Sequence, residues 1–196
     1  MSEGLNNLSR IAKFIAASGV CSRRDAEKLV LAGKVSVNGK VIEECATKVS
    51  DTDIVEVDGK RVKPEEVLRI WKFYKPKGCL TTNRDPKGRK TIFDFLPDDM
   101  PRVVTIGRLD YNTEGLLLLT NSGEYARKME LPSAKVERCY TVKIYGDFSD
   151  DIIDQIVPSV EVDGMTYHFK KVSIIKRQGK QTWLAVTLLE GKNREI

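Results

Sequence analysis

Asp110 lies in GRLDYNTEGLLLLTNSGE, residues 107–124, on a short segment between two apolar runs, 103–106 and 116–119. The turn-forming residues Asn112 and Gly115 stand beside it. A carboxylate delivered there by two buried strands either caps a turn or is a working group. Arg108, two residues earlier, can share a face with it on an extended segment. Thr113, Glu114 and Gly115 complete a polar corner. A second candidate is Tyr140 in ERCYTVKI, although Val142 and Ile144 share its parity and make an ordinary core aromatic the simpler reading. A third is the loop-rich stretch that carries Lys75, Lys77, Arg84, Lys87, Arg89 and Lys90 among Asn83, Pro86 and Gly88. It suits tracking a nucleic-acid backbone without reading its sequence, and is equally a mobile basic loop.

Composition narrows the chemistry. The 196 residues are 41% hydrophobic, which supports a packed core. Cys21, Cys45, Cys79 and Cys139 have no C-x-x-C spacing and read as reduced, partly buried thiols. His168 is the one histidine, on a strand-like segment, and reads as structural; no metal site is expected. No Gly-rich phosphate loop or nicotinamide fingerprint is present, and no cofactor is expected. No apolar run reaches the roughly 20 residues of a membrane span, and the N-terminus is unlike a signal peptide. A cytoplasmic protein without membrane partners is expected. The formal net charge is +5, and its distribution is uneven. Residues 8–41 hold seven Lys or Arg against Asp25 and Glu27, and residues 69–90 hold eight against Asp85. The acidic stretch between them separates two surfaces suited to a polyanion.

The elements that must position these residues fall into two groups. Leu8, Ile11, Ala12 and Ile15 follow helical spacing up to Ser18-Gly19. Ser22 caps a second helix, with Asp25 three residues on, a buried face of Ala26, Leu29 and Val30, and a stop at Gly33. KVSVNGKVI then predicts a hairpin turned by Asn38-Gly39. Together these residues resemble the S-four RNA-binding module over residues 8–62. Arg23 and Arg24 in the first turn of the second helix, with Lys28 and Lys34, are its expected RNA contacts, against the alternative of a solvated helix surface.

A linker around Pro64 leads to a second domain, with boundaries expected at 1–66 and 67–196. Strands are predicted at RIWKFYK, RCYTVKIYG, SVEVD, TYHFKKVSII and TWLAVTLLE, and helices at SGEYARKMEL and SDDIIDQIV. This is an α+β domain with a mixed or antiparallel sheet. The segment 107–124, preceded by YKPKGCLTTNRDPKGRKTIFDFLP and followed by LPSAKVERCYTVKIYG, resembles the signature of pseudouridine synthases of the RsuA/RluB branch.

The resemblance implies isomerisation of a uridine in ribosomal RNA by a monomeric, cofactor-free enzyme. VERCYTVKIYG and NTEGLLLLTNSGE look closer to the large-subunit branch, so 23S ribosomal RNA is the expected partner. It implies that Asp110 is the essential carboxylate, that Tyr140 contacts the flipped uracil, and that Arg108 fills the gap the base leaves. Two rivals stand beside it: an S-four protein that binds or assembles ribosomal RNA without altering it, and a nucleotide enzyme on an α/β fold, which would need a Gly-rich loop. The sequence stops at EGKNREI, inside the family's last motif. Members continue with an arginine expected to pair with the aspartate. Arg194 is offered as an imperfect stand-in, and a C-terminally truncated chain of little or no activity is expected.

Overall fold

Local signals explain the first elements of the chain. A computed structural model describes residues 8–146 and 148–192. After a two-residue strand β1 (Ser9–Arg10) come α1 (Ile11–Ala17) and α2 (Arg23–Leu31). The Ser22 side chain caps α2 by accepting from the Asp25 backbone N–H at 3.1 Å, which satisfies one of the first-turn donors that the helix itself cannot. β2 (Val35–Val37) and β3 (Lys40–Ile42) form the expected hairpin. Asn38 and Gly39 turn it at φ +51° and +79°, as a type I′ turn requires.

A second hairpin of the same type was not anticipated. β4 (Lys48–Val49) pairs back to β1, and β5 (Val55–Val57) and β6 (Lys60–Val62) follow, turned by Asp58-Gly59. The resulting four-stranded sheet has the order β3-β2-β5-β6. Ile11, Phe14, Ile15, Ala26, Val30, Val35, Val49, Val55 and Val57 are buried as its core.

β7 (Ile70–Lys75), β8 (Val104–Ile106) and β9 (Gly115–Thr120) make an antiparallel sheet in the order β7-β9-β8. Trp71 and Phe73 pack with buried Leu117, Leu119, Cys79, Ile92 and Val103. Next comes α3 (Gly123–Glu130).

The chain divides into two compact units, Met1–Ala126 and Arg127–Ile196. This is a different division from the one expected at 66/67, since the first unit holds both the N-terminal module and the β7-β9-β8 sheet. In the second unit are β10 (Arg138–Tyr145), α4 (Asp151–Ile156), β11 (Ser159–Val162), β12 (Met165–His168), β13 (Lys171–Gln178) and β14 (Gln181–Leu188). The segment expected as one strand, TYHFKKVSII, is two, parted at Phe169-Lys170. The main sheet there has the order β10-β14-β13. Val172, Leu184, Val186 and Leu188 are its buried core. Every strand ladder among the described residues is antiparallel. The α+β class expected from the sequence is therefore the one found. Among the described residues no helix is long and apolar enough to cross a membrane.

Candidate active site

The loop that carries Asp110 is built by the ends of two paired strands. Lys75 ends β7 directly opposite Gly115, which begins β9. The loop is bracketed by Gly107 at φ +78° and Gly115 at φ +125°, a region that a side chain would strain. Between them, the main chain of Leu109, Asp110, Tyr111 and Thr113 is tied to residues 75–81. The Thr81 hydroxyl donates to the Leu109 carbonyl at 2.8 Å and accepts from the Leu109 N–H at 3.3 Å. The Lys75 ammonium donates to the Asp110 carbonyl at 2.9 Å and the Thr113 carbonyl at 2.7 Å. Gly78 N–H donates to the Tyr111 carbonyl at 2.8 Å. One residue on, the Glu114 carboxylate accepts from the Tyr74 hydroxyl at 3.0 Å and pairs with the Lys77 ammonium at 3.1 Å.

Those bonds bear on the turn-cap reading of Asp110. A turn cap would use its carboxylate. Instead the Thr113 N–H donates to the main-chain oxygen of Asp110 at 3.0 Å, and the exposed carboxylate makes no hydrogen bond or ion pair among the described residues. The backbone is held while the side chain is left for solvent or a ligand. Arg108 is likewise exposed and forms no ion pair within the loop.

Lys75 requires a correction. It was expected to contact RNA, yet it has no exposed surface. Its ammonium donates to three carbonyls, of Pro76, Asp110 and Thr113. Burial draws its pKa below the ordinary lysine value, while Cys79 and the Asp110 charge pull the other way. A buried ammonium is tolerable only with such partners. Lys75 therefore anchors the Asp110 loop. Its role was signalled by parity, since it shares the inward face of β7 with Trp71 and Phe73. Thr81, Tyr74 and Glu114, which also hold this corner, were not anticipated as a set.

The remaining basic residues divide by their engagement. Arg84, Lys87 and Lys90 are exposed, and the Lys90 ammonium lies 5.7 Å from the Phe95 ring centroid. Arg89 grips Asp85 with a two-pronged pair at 3.0 and 2.9 Å, and its backbone N–H adds a third bond at 2.9 Å. The Arg89 guanidinium is the first cause of the Asp85 carboxyl pKa falling to about 2. Lys77 is exposed and paired with Glu114. In the N-terminal module Arg23 and Arg24 are exposed on the first turn of α2, free of ion pairs among the described residues. Lys28 pairs with Asp25 at 2.9 Å and Lys34 with Asp58 at 3.4 Å, both exposed.

Asp110 belongs to the first unit and Tyr140 to the second. Tyr140 lies on β10 opposite Val186, half-buried, and packs on the core face that Val142 and Ile144 share. Arg194 lies outside the described residues.

Comparisons with known proteins give these sites a setting. The S4 domain model matches residues 9–55, and the RNA pseudouridylate synthase model matches residues 69–196. An RNA pseudouridine synthase of Rickettsia felis, itself uncharacterised, is 47% identical over 189 residues, covering 96% of this chain and 82% of that protein. The ribosomal large subunit pseudouridine synthase B of Bacillus subtilis is 39% identical over 191 residues, covering 96% and 78%. The crystal structure of a pseudouridylate synthase shares the fold, with a TM-score of 0.59 at 23% identity, covering 95% of this chain and 79% of that one. The catalytic family model spans well over half of the sequence, its N-terminal boundary falls just before β7, and it takes in the whole Asp110 loop: the chain belongs to the RNA pseudouridylate synthase family.

Proposed function

We propose that the activity of this sequence, where the family's last motif is complete, is the conversion of a uridine of 23S ribosomal RNA to pseudouridine, with Asp110 as the essential carboxylate. The observation that carries this reading is the loop itself: an aspartate whose main-chain oxygen is held by Lys75 and by the Thr113 N–H, between tied neighbours, and whose exposed carboxylate makes no hydrogen bond or ion pair among the described residues. The large-subunit preference is supported by the likeness to the Bacillus subtilis enzyme. In this reading residues 1–66 bind RNA and residues 67–196 perform the chemistry, in a cytoplasmic monomer.

The reaction is an isomerisation, so no atom or electron is gained or lost. The bond from uracil nitrogen 1 to the ribose breaks, the uracil turns, and carbon 5 joins the same sugar carbon; the proton on carbon 5 leaves and nitrogen 1 takes up a proton in place of the lost bond. A duplex hides that bond, so the nucleotide must leave its stack. Asp110 supplies an anion at the sugar or the base. Arg108 fills the space left behind. Tyr140 lies against the uracil and helps the carbon 5 proton leave. Arg23, Arg24, Lys28, Lys34, Arg84, Lys87 and Lys90 hold phosphates and so set position rather than sequence.

Mapping pseudouridines in ribosomal RNA from cells with and without the gene tests the substrate. The expected result is the loss of one site in 23S RNA. Loss from 16S RNA, or no loss, would overturn the assignment.

A further inference from the structure

The β10-β14-β13 sheet has a second face that neither its core nor the proposed site uses. β14 buries Thr182, Leu184, Val186 and Leu188, and turns Gln181, Trp183, Ala185 and Thr187 the other way. In the register of the sheet Trp183 lies between Lys143 of β10 and Lys176 of β13. Their ammonium nitrogens stand 5.0 and 4.3 Å from its ring centroid. Lys171, opposite Thr187, adds a third exposed lysine to this face.

Lys176 faces this way because of an irregularity. Val172 and Ile174 pack on the core side, and strict alternation would put residue 176 with them. The register shifts between Ile174 and Lys176, so Lys176 meets Trp183 instead. The face positions of the three strands include no aspartate or glutamate. None of the three lysines forms an ion pair among the described residues. Two ammoniums held on one indole repel each other, and the ring returns only about 0.5–1 kcal/mol for each at an exposed site. An added polyanion would relieve that repulsion, and in bringing a phosphate to each lysine it would release its own counterions.

We propose that this face is a second RNA-contacting surface, which seats backbone phosphates on Lys143, Lys171 and Lys176 with Trp183 fixing the spacing of two of them. Lys143 and Lys176 flank β14 on strands about 10 Å apart. A lysine-only surface holds phosphates without reading bases, so the segment bound lies outside the target uridine. The choice of RNA as the polyanion rests on the proposed function.

The test is direct binding of a long ribosomal RNA fragment, read as the slope of log affinity against log salt between about 50 and 300 mM. The triple variant Lys143→Gln, Lys171→Gln, Lys176→Gln should lose about two to three units of slope and at least tenfold in affinity at low salt. An unchanged slope would overturn the proposal. So would unchanged RNA binding with weakened binding to vesicles of anionic phospholipid. Acylation of wild-type lysines covers a variant that fails to fold. Bound RNA should slow labelling of Lys143, Lys171 and Lys176 several-fold relative to exposed Lys60, and equal labelling would contradict the proposal. Absence of uridine isomerisation would defeat the proposed function while leaving both binding readouts valid.

Discussion

The loops at 81–90 and 107–114 are held in different ways. The 107–114 loop is tied through its main chain by residues outside it, Lys75, Gly78 and Thr81, and the carboxylate of Asp110 makes no hydrogen bond or ion pair among the described residues. The 81–90 loop is tied at its ends, by Thr81 to Leu109 and by the Leu80 N–H to the Lys90 carbonyl, and closed within by the Asp85–Arg89 side-chain pair, while Arg84, Lys87 and Lys90 are exposed. On the proposed reading the difference has a reason: chemistry needs one group placed to a fraction of an ångström, and a strand end supplies that support. Phosphate contact tolerates looser placement, and a locally closed turn is enough.

The largest effect should come from Asp110→Asn, which keeps the shape and removes the anion. Tritium release from RNA labelled at uracil carbon 5 should fall by more than about a thousandfold, with RNA affinity retained. Retained turnover would return Asp110 to the status of a turn residue.

Lys75→Met probes the anchor. Three carbonyls lose a charged donor, and stability should drop by about 2–4 kcal/mol. Turnover at a temperature where the variant is folded should fall roughly a hundredfold, because the loop that places Asp110 has lost its tie. A variant as stable as wild type that weakens only RNA binding would restore Lys75 to the RNA surface.

In the other loop, Arg84→Ala with Lys87→Ala should flatten the salt dependence of RNA binding by about one unit for each lost phosphate contact. Melting temperature should not move. An unaltered slope would leave the 81–90 loop without a role in RNA contact.

The smallest effect is in acid. Asp85 has its pKa depressed to about 2, so its contribution is complete above the unfolded carboxylate value and is lost as pH falls through the folded one. Its carboxyl resonance should therefore titrate near pH 2, and in Arg89→Ala it should move up towards the ordinary 3.8. A wild-type midpoint near 4 would mean that the pair does not form in solution.

Much of this was legible in the sequence where the signal is local. Ser22, Asn38 and Gly39 fix a cap and a turn within a few residues, and the Asp110 motif is contiguous. Lys75 was misread because a lysine beside Lys77 reads as surface charge, and its acceptors lie up to 38 residues away. The β5–β6 hairpin carries the same Asp-Gly turn signal, but its flanks are charged and short. The register shift that turns Lys176 outward exists only in the pairing of β13 with β14. No pattern within either strand alone announces it.

The central claim is that Asp110 does chemistry and no structural work, and one purified Asp110→Asn sample tests both halves. Thermal unfolding should lie within about 1–2 °C of wild type, while single-turnover tritium release with RNA bound is lost. A fall of about 2–4 °C, the cost of a lost turn cap, together with surviving tritium release, would contradict the account.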